Sequence, residues 1–266
     1  MQNPIPAVFL QSFLLIFVGS TFLLSQNQPP ASDPRAVAFA SRSISALTGR
    51  KAIGDATLTG TVTWSGGATP ETGTATLLAS GTGESRMNLV LSSGTRTEIR
   101  DASTGVAQGQ WIAESAKSGL FASHNCATDP VWFFPALGSL AAGANVVLTY
   151  VGQETRNEGA VQHIRSYRYQ PNQAAVNPSQ QQLSTTDFYL DASTLLPVAI
   201  TFNAHPDNNA NTNLLIEVDF SNYEVLSGVL VPTHIQRAMQ GNVLVDISIS
   251  GAFFNTGLPL SDFTIN

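Results

Sequence analysis

Three sets of side chains in this sequence invite a chemical reading. The first is His124-Asn125-Cys126, with Asp129 close behind. Residues two apart share a face if the segment is a strand, so a thiolate–imidazole pair or a partial metal site is the chemistry to weigh. One cysteine and one histidine are too few for structural zinc, and His163, His205 and His234 lie on other segments. A thiol nucleophile would further need an orienting group and an oxyanion site, and neither is evident nearby. The expectation is a buried or loop cysteine. The second set is Asp191, Glu217 and Asp219, which could be read as paired carboxylates for glycoside hydrolysis. Glu217 and Asp219 alternate with Ile216, Val218 and Phe220, so they are expected on the wet side of a strand beside Ser221. The sequence contains no phosphate-binding Gly-Lys-Ser/Thr loop, Rossmann glycine set, His-Glu-x-x-His or Gly-x-Ser-x-Gly. No catalytic residue, metal ligand or cofactor is expected.

The third set is apolar. Trp64, Leu89, Phe188 and Phe220 fall on strand-like stretches, and Trp132, Phe133, Phe134 and Leu137 form the most aromatic stretch of the chain. Met87, Leu91, Leu190, Ile200, Phe202 and Val245 can share one surface with them. Core packing accounts for most such residues. An apolar sheet face that helices cover only in part is, however, a place for an apolar ligand.

These side chains need a scaffold, and the clearest part of it runs from Phe188 to Ile249. Leu214, Ile216, Val218 and Phe220 alternate with Glu217, Asp219 and Ser221, and Val243, Val245, Ile247 and Ile249 alternate with Asp246 and Ser248. Period-two alternation describes an antiparallel sheet with one dry and one wet face. Upstream, Asp33-Pro34 is a helix start, Val37, Ala40, Ile44 and Leu47 form a stripe, and Gly49 can end the helix in a left-handed conformation. From Asp55 the period becomes two, with Leu58, Gly60, Val62 and Trp64 on one face and Thr57, Thr59, Thr61 and Thr63 on the other. Short strands are expected at 74–79, 85–91, 95–100 and 106–113, and again at 145–153 and 160–169. The turns between the first of these recur as in a meander that curls into a barrel or sandwich. Asp129-Pro130 and Pro135 bracket a short broken helical insert between His124 and Gly143, either a plug or a lid. Residues 171–182, rich in Gln, Asn and Pro, read as a solvated loop.

The balance of the 266 residues narrows the partners. Charged residues make up 11% of the chain and the formal net charge is −6. So few cations offer little to a phosphate backbone or an anionic lipid surface. A single cysteine excludes an intrachain disulfide. Residues 1–25 contain an uncharged apolar run, Ala7 to Leu24, expected to be a signal peptide or N-terminal anchor. Residues 26–32 read as a linker and 33–266 as one β-rich domain. Membrane contact is expected only through the N-terminal segment or transiently.

Two patterns resemble the LolA/LolB-like superfamily of periplasmic lipoprotein carriers. One is Asp191-Ala192-Ser193-Thr194-Leu195-Leu196-Pro197, a strand end, a turn and a new strand. The other is Tyr223-Glu224-Val225-Leu226-Ser227-Gly228-Val229-Leu230-Val231-Pro232, a strand, a tight turn and a return. The N-terminal helix before the first strand also fits. The resemblance implies an α+β, sheet-dominated fold: a strongly curved antiparallel sheet, a half-open barrel of about eleven strands, covered by the helix and the broken insert. It also implies an exported, periplasmic or extracytoplasmic, non-enzymatic protein. Such a protein would hold an acyl chain, lipid or lipoprotein lipid on its concave face, as carrier or envelope sensor. The alternative is a structural or adhesive envelope domain with a filled core.

Overall fold

The computed structural model describes residues 30–102, 107–126, 128, 133, 145–169 and 177–265. Helix α1 (Pro34–Thr48) is built as its sequence dictates. The Asp33 carboxylate accepts the Arg35 N–H at 2.7 Å, Pro34 supplies a preset φ in the first turn, and Gly49 ends the helix at φ +59°. The residues pressed against the sheet are small, namely Ala36, Ala40 and Ser43 before Leu47, so the helix backbone lies close to the strands beneath. Val37 and Ile44 flank this line, half-buried.

Thirteen strands follow: β1 (Asp55–Trp64), β2 (Glu71–Ser80), β3 (Ser85–Leu91), β4 (Gly94–Asp101), β5 (Gln108–Ile112), β6 (Ser118–Leu120), β7 (Val146–Arg156), β8 (Gly159–Arg168), β9 (Thr186–Asp191), β10 (Pro197–Ala204), β11 (Leu214–Leu226), β12 (Val229–Met239) and β13 (Asn242–Phe254). They form one antiparallel sheet in the order β6-β5-β4-β3-β2-β1-β13-β12-β11-β10-β9-β8-β7. The chain therefore enters beside the middle strand and meanders to one edge. It then crosses to the opposite edge and meanders back until β13 pairs with β1. The sheet is curved and unclosed, with two more strands than the sequence suggests. One surplus strand is β6, whose three residues are too short to carry an alternation.

The register defines the inner face. One row of directly opposed side chains runs Trp64–Val245–Arg237–Val218–Ile200–Phe188–Ile164–Tyr150, from β1 across to β7. A second runs Leu91–Gly73–Val62–Ile247–Ile235–Phe220. These rows belong to one continuous buried cluster, against which α1 packs over β12, β7 and β8. Two inner glycines let the sheet bend. A Cβ on Gly73 would sit 1.9 Å from the Val90 carbonyl oxygen, and one on Gly60 2.0 Å from that of Ser248. The β1 register also shifts between Thr59 and Gly60. The curvature has a direct measure. Arg237 on β12 donates to Glu98 on β4 at 2.7 Å, although five strand steps, about 24 Å along a flat sheet, separate them in the sheet order.

Some sequence expectations change. Val243 does not share the dry face of Val245 and Ile247; it is exposed at the strand's end, where the β12 register shifts between Arg237 and Ala238. Residues 171–182 are not all loop, because Pro178–Ser184 forms helix α2. Asn177 caps it by accepting from Ser179 and Gln180, and Ser184 Oγ accepts the Arg168 N–H at 2.9 Å, docking it on β8. At the end of the expected linker, Ser32 and Asp33 bond to the Leu148 backbone and cover part of the β7 edge. The helical insert lies largely outside the described residues.

Candidate ligand-binding face

The two turn patterns of the C-terminal block meet in space. Asp191 accepts the N–H groups of Ser193 and Thr194, Leu195 takes φ +60°, and the chain resumes as β10 at Pro197. Ser227 and Gly228 both have positive φ, the geometry of a tight hairpin turn between β11 and β12. Tyr223 Oη then donates to the Pro197 carbonyl at 2.6 Å, and burial pushes this phenol well above its usual range. One hydrogen bond thus fixes β11 against the start of β10.

Of the apolar residues singled out from sequence, Leu89, Phe188 and Phe220 are buried in the inner-face cluster. Trp64 lies at its margin, half-buried, with the Arg96 guanidinium 4.3 Å over its ring. Phe133 is fully buried; its ring meets Phe220 edge-on at 5.0 Å and Tyr223 at 6.2 Å. An aromatic residue of the segment between β6 and β7 is therefore lodged on β11. Trp132, Phe134 and Leu137 lie outside the described residues.

The inner face also carries charge that the sequence reading missed. Arg96 pairs with Glu114, and Arg237 pairs with Glu98 across the concavity. Alternation from Ile235 places Arg237 on the dry face, and that was the available signal. For β4 there was none, since Arg96, Glu98 and Arg100 alternate with Thr95, Thr97 and Ile99 and no apolar stripe marks the inside.

His124-Asn125-Cys126 is not on a strand. Ser123–Asn125 is a 3-10 turn, and Asp129 lies outside the described residues. Asn125 exchanges two 2.8 Å hydrogen bonds with the His205 backbone, while Arg100 donates to the Cys126 carbonyl at 3.2 Å. The turn thereby ties the end of β10 to β4. Cys126 is buried, and no group of metal-ligating side chains occurs among the described residues.

Glu217 and Asp219 occupy the outer face as expected, but neither is simply solvated. Glu217 pairs with Arg156, whose guanidinium lies 4.4 Å over the Tyr189 ring. Asp219 is half-buried; burial first, and then the negative charge of Glu217, push its carboxyl up to about 6. Nearby, His163 is held between Glu154 at 2.6 Å and Asp187 at 2.7 Å. Further along, Ser221 Oγ lies 3.1 Å from His234 Nδ1, and His234 Nε2 lies 3.0 Å from Asp246. These three side chains stand on the adjacent paired strands β11, β12 and β13.

No family model and no curated protein matches the sequence. Solved structures do match the fold. An outer membrane lipoprotein-sorting protein domain from Vibrio parahaemolyticus superposes with TM-score 0.52 at 13% identity, over 86% of this chain and 96% of that one. A DUF1329 family protein from Desulfovibrio piger gives 0.54 at 10% identity, over 88% and 98%. A LolA superfamily protein from Nitrosomonas europaea gives 0.52 at 10% identity, over 86% and 97%. At these identities the likeness is one of architecture, and it agrees with the meander, the N-terminal helix and the two tied turns: this chain has the fold of the LolA-like superfamily.

Proposed function

We propose that the protein is an exported, non-enzymatic binder of an apolar ligand, an acyl chain or lipid, held on the concave face of its sheet. It would serve as carrier or envelope sensor, with a lipoprotein as one form its cargo could take. The observation that carries this reading is the inner face itself. It carries a continuous apolar cluster on an unclosed sheet, with α1 packed on it against β12, β7 and β8. The fold shared with a lipoprotein-sorting domain supports it. Binding would draw on apolar burial, worth about 25 cal/mol per Å². Phe133 occupies part of this face, so a ligand would take its place against Phe220 and Tyr223. No described helix is long and apolar enough to cross a membrane. Membrane contact would come through the N-terminal segment or in transient encounters.

Native mass spectrometry of protein from the producing cell, followed by organic extraction, tests the reading. An extractable lipid at near-stoichiometric amount supports it. Protein that carries no lipid and takes up none when offered sinks it, and favours a second reading, an envelope β-domain with a filled core. That second reading draws on the near-complete burial of Leu58, Leu77, Leu89, Phe133 and Phe188.

A further inference from the structure

We propose that Arg168 anchors the anionic head group of an amphiphile whose chain lies on the concave face. This deepens the carrier reading above and rests on it. Four arginines project from the inner face: Arg96 opposite Leu89, Arg100 opposite Ser85, Arg237 opposite Val245 and Arg168 opposite Val146. Three of them have partners. Arg96 ends on Glu114, Arg237 on Glu98, and Arg100 on the carbonyls of Cys126 and Gly83. Arg168 differs. Its backbone is fixed to Ser184, but among the described residues no acceptor meets its guanidinium.

The surroundings make an unmet guanidinium costly. Ser166 and Ile164, the preceding inner positions of β8, are buried, as is Leu148 on β7. Burial and the positive charge of Arg100 both disfavour the Arg168 cation. An arginine does not escape by losing its proton, so a half-desolvated charge with no counter-ion among the described residues remains. A carboxylate or phosphate supplies what is missing, because its oxygens accept two parallel N–H bonds from the planar fork. Position fits an amphiphile too. Arg168 is the last residue of β8 and faces the first residue of β7. A head group bound there sits at the rim, and its chain can run inward along Ile164 of β8 and Phe188 of β9, which oppose each other. Arg100 adds positive potential while keeping its carbonyl partners.

Calorimetric titration of the delipidated full chain with decanoate, decyl phosphate and decanol, all below their micellar concentrations, tests this. At least one anionic probe should bind about tenfold tighter than decanol, and the tighter of the two identifies the head-group chemistry. In R168Q that advantage should vanish while decanol affinity stays the same, and R168K should keep part of it. Equal affinity of the wild type for decanol and both anions overturns the anchor and leaves the carrier reading standing. Failure to bind any of the three removes both. An anionic preference that persists in R168Q, with melting unchanged from wild type, also overturns the anchor.

Discussion

Glu217 and Asp219 stand two residues apart on one face of β11, yet their neighbours set them apart. Glu217 has Arg156 as counter-ion, whereas Asp219 has burial and the charge of Glu217 against it, which raise its carboxyl to about 6. A carboxylate whose folded pKa exceeds its unfolded value binds its proton more tightly when folded, so it costs stability as pH rises through that interval. Asp219→Asn should therefore stabilise the protein at pH 8 by about 1 kcal/mol, a figure discounted for solvent screening, and change little at pH 4. Urea unfolding at the two values checks this, and equal shifts at both would refute it. His163 works through a partner. Burial opposes its cation, but hydrogen bonds to Asp187 and Glu154 prevail and raise its pKa. Its contribution is complete below the ordinary histidine range and is lost as pH rises through the folded value. His163→Gln should thus be most damaging in mildly acid solution and least at pH 9, as chemical denaturation across that range would reveal. The Arg237–Glu98 pair calls for a double-mutant cycle. Glu98→Gln alone leaves a cation on the inner face and should cost about 2–3 kcal/mol, whereas Glu98→Leu with Arg237→Met should come out near neutral.

At the level of elements, the bend of β2 is the feature most exposed to a single atom. A Cβ on Gly73 would overlap the Val90 carbonyl oxygen at 1.9 Å, while one on Gly159 would meet its nearest neighbour at 3.5 Å. Gly73→Ala should cost about 3 kcal/mol or more, through backbone displacement, and Gly159→Ala should stay within about 0.5 kcal/mol. Thermal melts of both variants decide it. What the sequence made legible at this scale was local. Asp33-Pro34 and Gly49 bracket α1 because caps act within one turn, and Leu214 to Phe220 declared a strand because alternation needs no knowledge of the partner. Asn177-Pro178 carried the same start signal as Asp33-Pro34, but polar composition obscured it. The bend at Gly60 and Gly73 was not legible, since it depends on how closely two backbones pass. The placement of Arg96, Glu98 and Arg100 inside was equally hidden, because only the Leu89–Arg96 register assigns that face.

For the whole molecule, the two readings of the concave face differ in what purification history should do. The turn at Ser123–Asn125 and Cys126 after it bond to the end of β10 and to β4, and Phe133 lodges on β11. On the proposed function, Phe133 yields its place for an acyl chain to reach Phe220. Sequence pointed to the aromatic cluster around Phe133 but could not choose between plug and lid, because that choice depends on the relative stability of two packed states. A ligand that binds only the folded form adds RT ln(1 + [L]/Kd), about 2.7 kcal/mol at a hundredfold excess over Kd. For a domain of this size that is a rise of roughly 5–10 °C in Tm. Protein stripped of lipid and refolded should melt lower by about that amount than protein isolated with its cargo, and adding back the extracted lipid should restore it. Phe133→Ala should weaken the stripped form by about 3 kcal/mol, the usual cost of emptying a buried aromatic site. The loaded form should lose less, because the chain fills the space that Phe133 vacates. A filled core gives a different pattern: one melting temperature regardless of lipid, and the same Phe133→Ala penalty in both preparations.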